Sequence, residues 1–304
     1  MKRYSSVTII LYLLFSYQYA RAQGCSDAGF CSLNNLKPEP SDSVNLFKNH
    51  IRFGAFGGLG AKGIFIFGHY NEFDRLIGKH VNVNVKVTSL AQTGNEVSVI
   101  GLGDVFITAG VRLGKQIRFT NGIKIPLSDG NRLYNNAPLP MDYQSSLGTY
   151  DFISGISWFW NKWQFVAAYQ QPITQNNNAY LNTFYPEDSP LRDFISTNNY
   201  IRKADVMFRA AYTSIRTSKR GLFSPGLLAV YHLGEDSYIN ENGSRTNIEN
   251  SDGLTVNTNF YWDYELSEKH VFQLNAGVPV YARNFRPDGL TRNVILTAEF
   301  RVRF

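Results

Sequence analysis

The sequence is poor in methionine, with three in 304 residues, and in cysteine, with two. Beyond residue 22 no stretch stays apolar for 18 residues, which excludes a transmembrane helix in that part of the chain. No basic run carries interleaved aromatics, so nucleic acid is not an expected partner. The five histidines, His50, His69, His80, His232 and His270, have no metal-ligand spacing, and neither a metal nor a cofactor is expected. "GLGAKG" at 58–63 matches a dinucleotide fingerprint in letters only. The next seven residues, "IFIFGHY", form a strand pattern where that motif requires a helix, and no Lys-Ser/Thr pair is there to make a phosphate loop. In contrast, the chain holds 22 Phe and 18 Tyr, with aromatics at 14%. Many aromatics without a long apolar run suit an all-β chain with one wet and one dry face per strand.

The first residues, "MKRYSSVTIILYLLFSYQYARA", place Lys2 and Arg3 before an apolar core from Val7 to Phe15, then Ala20-Arg21-Ala22. That order is a secretory signal with a small-x-small cleavage site, and the core is too short to span a membrane. Residues 1–22 are therefore expected to be a signal peptide, with the mature chain starting at Gln23. Losing Lys2, Arg3 and Arg21 lowers the net charge from +6 to +3, so half of the basic excess belongs to the signal. Residues 23–46 are expected to form a periplasmic extension. It carries Cys25 and Cys31 ahead of the turn-rich "KPEPSDS". The two cysteines are candidates for a small disulfide loop in an oxidising compartment. Soft-metal binding by the thiolates and lipidation of Cys25 remain alternatives, though Cys25 lacks the usual Leu three residues before it. The extension is also a candidate to tuck into the lumen of the domain C-terminal to it.

Residues 47–304 alternate in period two. "VNVNVKVTS" sets Val81, Val83, Val85 and Val87 on one face and Asn82, Asn84 and Lys86 on the other. "DVFITAGVRL" sets Val105, Ile107 and Val111 against Asp104, Thr108 and Arg112. "LTVNTNFYWDYEL" and the final "VILTAEFRVRF" behave alike. Alternation alone fits a soluble sandwich as well as a membrane barrel. Connection lengths separate the two. About twelve strands are predicted, the first near 47–57, the fourth near 102–114 and the last near 291–304, many of them about 10 residues long. Every second connection is short: Gly78-Lys79-His80, Gly114-Lys115, Asn161-Lys162, Ser218-Lys219-Arg220 and Ser267-Glu268-Lys269. The others are mostly long, such as "GEDSYINENGSRTNIENSDG". This rhythm predicts an all-β, transmembrane, up-and-down antiparallel barrel of the outer-membrane kind, with short turns and both termini in the periplasm. Outer-membrane lipid is then a partner, because no backbone group can stay unpaired in hydrocarbon and the sheet must close. Trp158, Trp160 and Trp163, with Trp262 and Tyr264, lie near short turns and read as part of the periplasmic aromatic girdle.

On this phase the lumen-facing candidates are the cations Lys86, Arg112, Arg118, Lys124, Arg209 and Arg301, with Arg52 and Arg303, and the anions Asp104, Asp263, Glu265 and Glu299. In small barrels such groups pair and fill the interior; in wider ones rings of charge set selectivity. Catalysis is not expected. An outer-membrane phospholipase needs His and Ser two apart on a lipid-facing strand, and no histidine here has that neighbour. An outer-membrane protease needs Asp and His at the rim. Asp129, Asp142, Asp151, Asp205 and Asp236 fall there, with His232 the one histidine near, and loop carboxylates of this kind read as solvated.

"GLGDVFITAGVRLGKQIRFTNGIKIPLSD", from Gly101 to Asp129, combines a Gly-x-Gly-Asp strand opening, a short turn and a Lys-x-Pro-x-x-Asp exit. It resembles the outer-membrane family of the MetA-pathway of phenol degradation type, whose members are called transporters and are likened to long-chain fatty acid channels. The family's usual exit is Lys-x-Pro-Thr-Gly-Asp; here it is Lys124-Ile125-Pro126-Leu127-Ser128-Asp129. The resemblance implies a channel or transporter for small solutes, aromatic or apolar. The alternative is a structural or surface-interaction barrel with a filled lumen and partner-binding loops. The closing Phe304, on an alternating strand, also resembles the signal read by the barrel-assembly machinery, an expected second partner.

Overall fold

The computed structural model describes residues 29, 32–39, 47–289 and 292–304; the signal peptide, Cys25 and Cys31 lie outside them. Twelve long strands build the wall: β1 Asn49–Gly60, β2 Phe65–Ile77, β3 Val81–Gly94, β4 Val97–Leu113, β5 Ile117–Pro126, β6 Asp151–Trp160, β7 Trp163–Pro172, β8 Asp205–Tyr212, β9 Gly221–His232, β10 Gly253–Glu265, β11 His270–Tyr281 and β12 Arg292–Arg303. Each pairs antiparallel with the next in sequence. β1 then pairs with β12, from His50 opposite Arg303 to Leu59 opposite Val294, so the sheet closes on itself and leaves no edge. Asn49 and Phe304 exchange both backbone hydrogen bonds at 2.9 Å and finish this seam.

Burial is inverted relative to a soluble protein. Thr108, Thr120, Asn84, Ser157, Gln164 and Asn257 point inward and are buried. Phe53, Phe73, Ile107, Ile123, Leu274 and Phe300 point outward and are 37–52% exposed, forming the apolar wall that meets lipid. At the short-turn end the outer wall carries stacked rings, Trp158 with Trp160 and Phe165 and Trp163 with Phe165, and the tilted pair Trp262 and Tyr264.

The short turns fall at one end, at 78–80, 114–116, 161–162 and 266–269, with a longer one at 213–220. The other end is less uniform than the sequence rhythm predicts. Four connections there are long (127–150, 173–204, 233–252 and 282–291), but those at 61–64 and 95–96 are tight. Asn95 and Glu96 both have positive φ, 51° and 64°, which is the backbone of a two-residue hairpin turn. β1 to β4 accordingly rise above the rest of the wall, and the long loops fold inward against them. Ile64 of the tight connection and Ile66, Val97 and Val99 of the strands pack with Leu139, Tyr143, Tyr180, Leu191 and Phe194 from the loops.

β4 starts five residues earlier than its alternation predicts, at Val97. The cause is a bulge. Opposite β3 the pairing steps from Val87–Val105 to Ser89–Leu102, so Gly103 and Asp104 together face Thr88. Below the bulge Asp104, Phe106 and Thr108 point inward; above it the inward residues are Val99 and Val97. The Gly-x-Gly-Asp motif is this bulge. Thr88 Oγ1 accepts from the Asp104 N–H at 2.8 Å and donates to the Asp104 carbonyl at 3.1 Å. A Cβ on Gly103 would lie 2.5 Å from the same oxygen, so only glycine fits.

Candidate functional site in the barrel lumen

Residues 32–39 lie inside the barrel. Leu33 and Leu36, three apart across a short 3₁₀ turn (Asn34–Leu36), fall on one side. There they join Phe106, Ile153, Val166, Ala168, Met207, Leu228 and Val230 of the inner wall. Polar groups of the segment meet the wall all round. Asn35 Nδ2 donates to Thr108 Oγ1 at 3.2 Å, and Gln164 Nε2 donates to the Lys37 carbonyl at 3.1 Å. Lys37 Nζ reaches Glu299 Oε2 at 3.1 Å. Glu39 pairs with Arg118 and, at 3.5 Å, with Arg112. Arg209 donates to the Leu36 carbonyl, and Lys86 Nζ donates to Ser32 Oγ at 2.9 Å.

The sequence-derived lumen candidates are thus found mostly in pairs. Glu299 is shared by Lys37, by Arg301 at 3.0 Å, by Arg52 at 3.6 Å and by the Tyr70 hydroxyl at 2.7 Å. Arg301 also lies 3.8 Å from Asp263, and Arg303 lies 3.6 Å from Glu265. Lys124 is fully buried against Asp151 at 3.1 Å. Asp104 accepts from the Ser146 hydroxyl at 2.6 Å. The excess of inward cations in the sequence is answered by Glu39, Glu72 and Asp151, which the inward phase count missed. Glu72 binds Arg52 at 2.9 Å and accepts from Asn84 at 2.7 Å.

A second ionic cluster joins the loops to the wall at the long-loop end. Arg202, from the loop before β8, pairs with Asp205 and lies 3.7 Å from Asp151 and 3.6 Å from Asp288. His232 places Nδ1 2.7 Å from Asp205 and Nε2 2.8 Å from Asp236. Asp236 also accepts from the Tyr200 hydroxyl at 2.6 Å, and Asp288 pairs with Arg283 at 2.5 Å. Burial works to raise the Asp288 carboxyl, but the Arg283 and Arg202 guanidiniums outweigh it and hold it below the ordinary carboxylate range. Burial, with Asp236 and Asp288 beside it, pushes the Tyr200 hydroxyl well up. Asp151, Asp205 and Asp236 are therefore not solvated rim carboxylates, as the sequence suggested. The loops fold inward and bury them.

Asp205, His232 and Asp288 bring ligand-type atoms within 4.8 Å of one another. A metal would need a ring nitrogen with a free lone pair. Both His232 nitrogens face carboxylate oxygens at hydrogen-bond distance, so neither is turned to an open ligand position. With Arg202 and Arg283 alongside, the cluster is an ion-pair clasp. A histidine–serine contact does occur, in a form that no local motif could reveal. His69 and Ser89 face each other across β2 and β3 on the outer wall, with Oγ 2.6 Å from Nδ1. Among the described residues nothing is hydrogen-bonded to the other ring nitrogen, so the orienting third group of a hydrolase is missing.

Between the inner segment and the loop roof is a cavity of about 140 Å³. Gly29, Ser32 and Lys37 form its floor and Met141 to Leu147 its roof. Its walls include Phe56, Ile66, Tyr70, Lys86, Phe106, Asn259 and Asn275.

No family model and no curated protein matches the sequence. Among solved structures, the COG4313 outer membrane channel from Pseudomonas putida F1 is similar over 88% of this chain and 100% of its own, with a TM-score of 0.58 at 12% identity. The NanC porin aligns over 84% of this chain and 98% of its own, at TM-score 0.42 and 10% identity. The first of these overlaps, with the twelve-strand closure described above, establishes the fold as that of an outer-membrane β-barrel.

Proposed function

We propose that the chain is an outer-membrane channel or transporter of a Gram-negative bacterium that passes small solutes, aromatic and apolar ones included. The observation that carries this reading is the interior. The lumen is occupied by a short separate segment and contains a chamber beneath the loops, and a barrel serving only as a scaffold has no need of a chamber. The similarity to an outer membrane channel and the resemblance of Gly101–Asp129 to a transporter-like family support it. Residues 1–22 would direct export, and Phe304 would be read by the assembly machinery.

Planar-bilayer recording and a liposome solute-flux assay test the proposal. Intact protein is expected to conduct weakly, and deletion of residues 32–39 to raise conductance severalfold. The competing reading is a closed barrel whose long loops bind a partner. It is favoured by the pairing of most charged lumen groups. Absence of both conductance and flux from the intact and the deleted chain would decide for it.

A further inference from the structure

One buried cation of the lumen, Lys86, has only neutral partners among the described residues. Lys86 is only 3% exposed. Its ammonium donates to Ser32 Oγ at 2.9 Å and the Ser32 carbonyl at 3.4 Å, and lies 4.2 Å from the centroid of the Tyr70 ring. All of these partners are neutral. Lys37, Lys124, Arg52, Arg118 and Arg202 each have a carboxylate within 4 Å, and among the described residues Lys86 has none. A buried ammonium with neutral partners alone recovers little of its desolvation cost, so a place beside it favours an anion.

Lys86 lines the cavity under the loop roof. Its volume, about 140 Å³, is close to that of an engineered cavity of roughly 150 Å³ that admits benzene. Phe56, Ile66, Leu90, Phe106 and Met141 give the cavity an apolar surface. Asp104 also faces it, bonded to Ser146, and would repel a second negative charge. Across the chamber the side-chain oxygens of Asn259 and Asn275 are buried without a hydrogen-bond partner among the described residues.

We propose that this cavity binds a small monocarboxylate with an apolar body, a ring or a short alkyl chain, its carboxylate held by Lys86 Nζ. The proposal rests on the channel reading, which supplies the reason for a solute to be inside the barrel, and narrows it from apolar solutes to singly anionic ones.

Calorimetric titration of the full-length folded barrel in detergent tests it, with benzoate as the probe and benzyl alcohol as its uncharged counterpart. Benzoate is expected to bind at one site, at least tenfold more tightly than benzyl alcohol. Lys86→Met should remove that preference, so that the two probes bind alike. Equal affinity for the two probes, or benzoate binding unaffected in a Lys86→Met barrel that still shows heat-modifiable migration, would overturn the proposal. Should that variant fail to fold, Leu90→Phe keeps the charge and fills the cavity. It must weaken benzoate at least tenfold, and unchanged binding overturns the proposal. Parallel bilayer recordings keep the two readings apart. Conductance without benzoate binding overturns the carboxylate site and leaves the channel standing. Binding without conductance or flux supports the site and removes the channel.

Discussion

The lumen is closed twice, and the two closures are built differently. The inner one is a segment of eight residues, 32–39, held by two leucines and a handful of polar contacts. Glu299 keeps Arg52 and Arg301 when Lys37 leaves, whereas Arg112 and Arg118 give up Glu39 and Lys86 gives up Ser32. The outer closure is the clasp of Arg202, Asp205, His232, Asp236, Arg283 and Asp288. There one cation bridges several buried carboxylates: Arg202 serves Asp151, Asp205 and Asp288 at once, each of which has a further partner, Lys124, His232 or Arg283. Ion pairs of similar length therefore have unequal consequences. Loss of Lys37 weakens one buried carboxylate, and loss of Arg202 weakens three.

This contrast can be broken by substitution. Arg202→Met should be the most damaging change, since Asp151, Asp205 and Asp288 all lose a cation while buried. A loss of about 3–5 kcal/mol is expected, read as the shift in urea midpoint of the folded barrel. A substitution in the wall calibrates that figure. Ile107 pairs with Val85 and Ile123 well within its strand and faces outward, so Ile107→Arg should cost about 2–4 kcal/mol. Val111 also faces outward but lies close to the turn after Leu113, and Val111→Arg should cost less. If Val111→Arg proves the worse, the hydrocarbon band sits nearer the short turns. Lys37→Met should cost only about 1–3 kcal/mol, because Glu299 retains other partners. A cost equal to that of Arg202→Met would erase the distinction between the closures.

Acid sharpens the same comparison. Asp288 is held below its unfolded value, so its stabilising contribution is complete at neutral pH. It is lost as pH falls below roughly 4, the unfolded carboxylate value, toward the folded one. Asp288→Asn should flatten that acid limb in a stability-versus-pH series, whereas Lys37→Met should leave it in place. The smallest effect expected on the folded barrel is from deleting Phe304, which removes two backbone bonds at the seam. Less heat-modifiable protein in the outer membrane is the outcome to look for, and unchanged amounts would mean that assembly does not depend on Phe304.

Period two made the wall legible, since lipid outside and polar groups inside impose opposite demands on successive residues. From Val105 to Leu113 and Val81 to Val87 the phase could be read directly. The upper part of β4 could not, because the extra residue at Gly103–Asp104 shifts the alternation. The inner closure was legible only as the candidate tucking of the extension into the lumen, without its partners, and the outer one was not legible. Glu39 sits in "KPEPSDS", which reads as a linker, and Asp151, Asp205 and Asp236 read as rim carboxylates. Their partners Arg118, Lys124, Arg202 and His232 are brought to them by tertiary folding, and local spacing carries no trace of that. A denser signal was present in "LPMDY", where Leu139, Met141 and Tyr143 are apolar in a loop expected to be polar, and all three are buried.

The bulge on β4 has a further consequence. A strand with two faces behaves as a text read in steps of two, and the pair Gly103–Asp104 is a built-in frameshift. Deleting one of the two would re-index everything before it: Ser98 and Ile100 would turn inward, and Val97 and Val99 would turn out of the apolar cluster that seats the loops. The roof of the chamber is thus keyed to its wall by a single residue. An insertion or deletion at that one point should accordingly be rejected, however conservative the residue gained or lost.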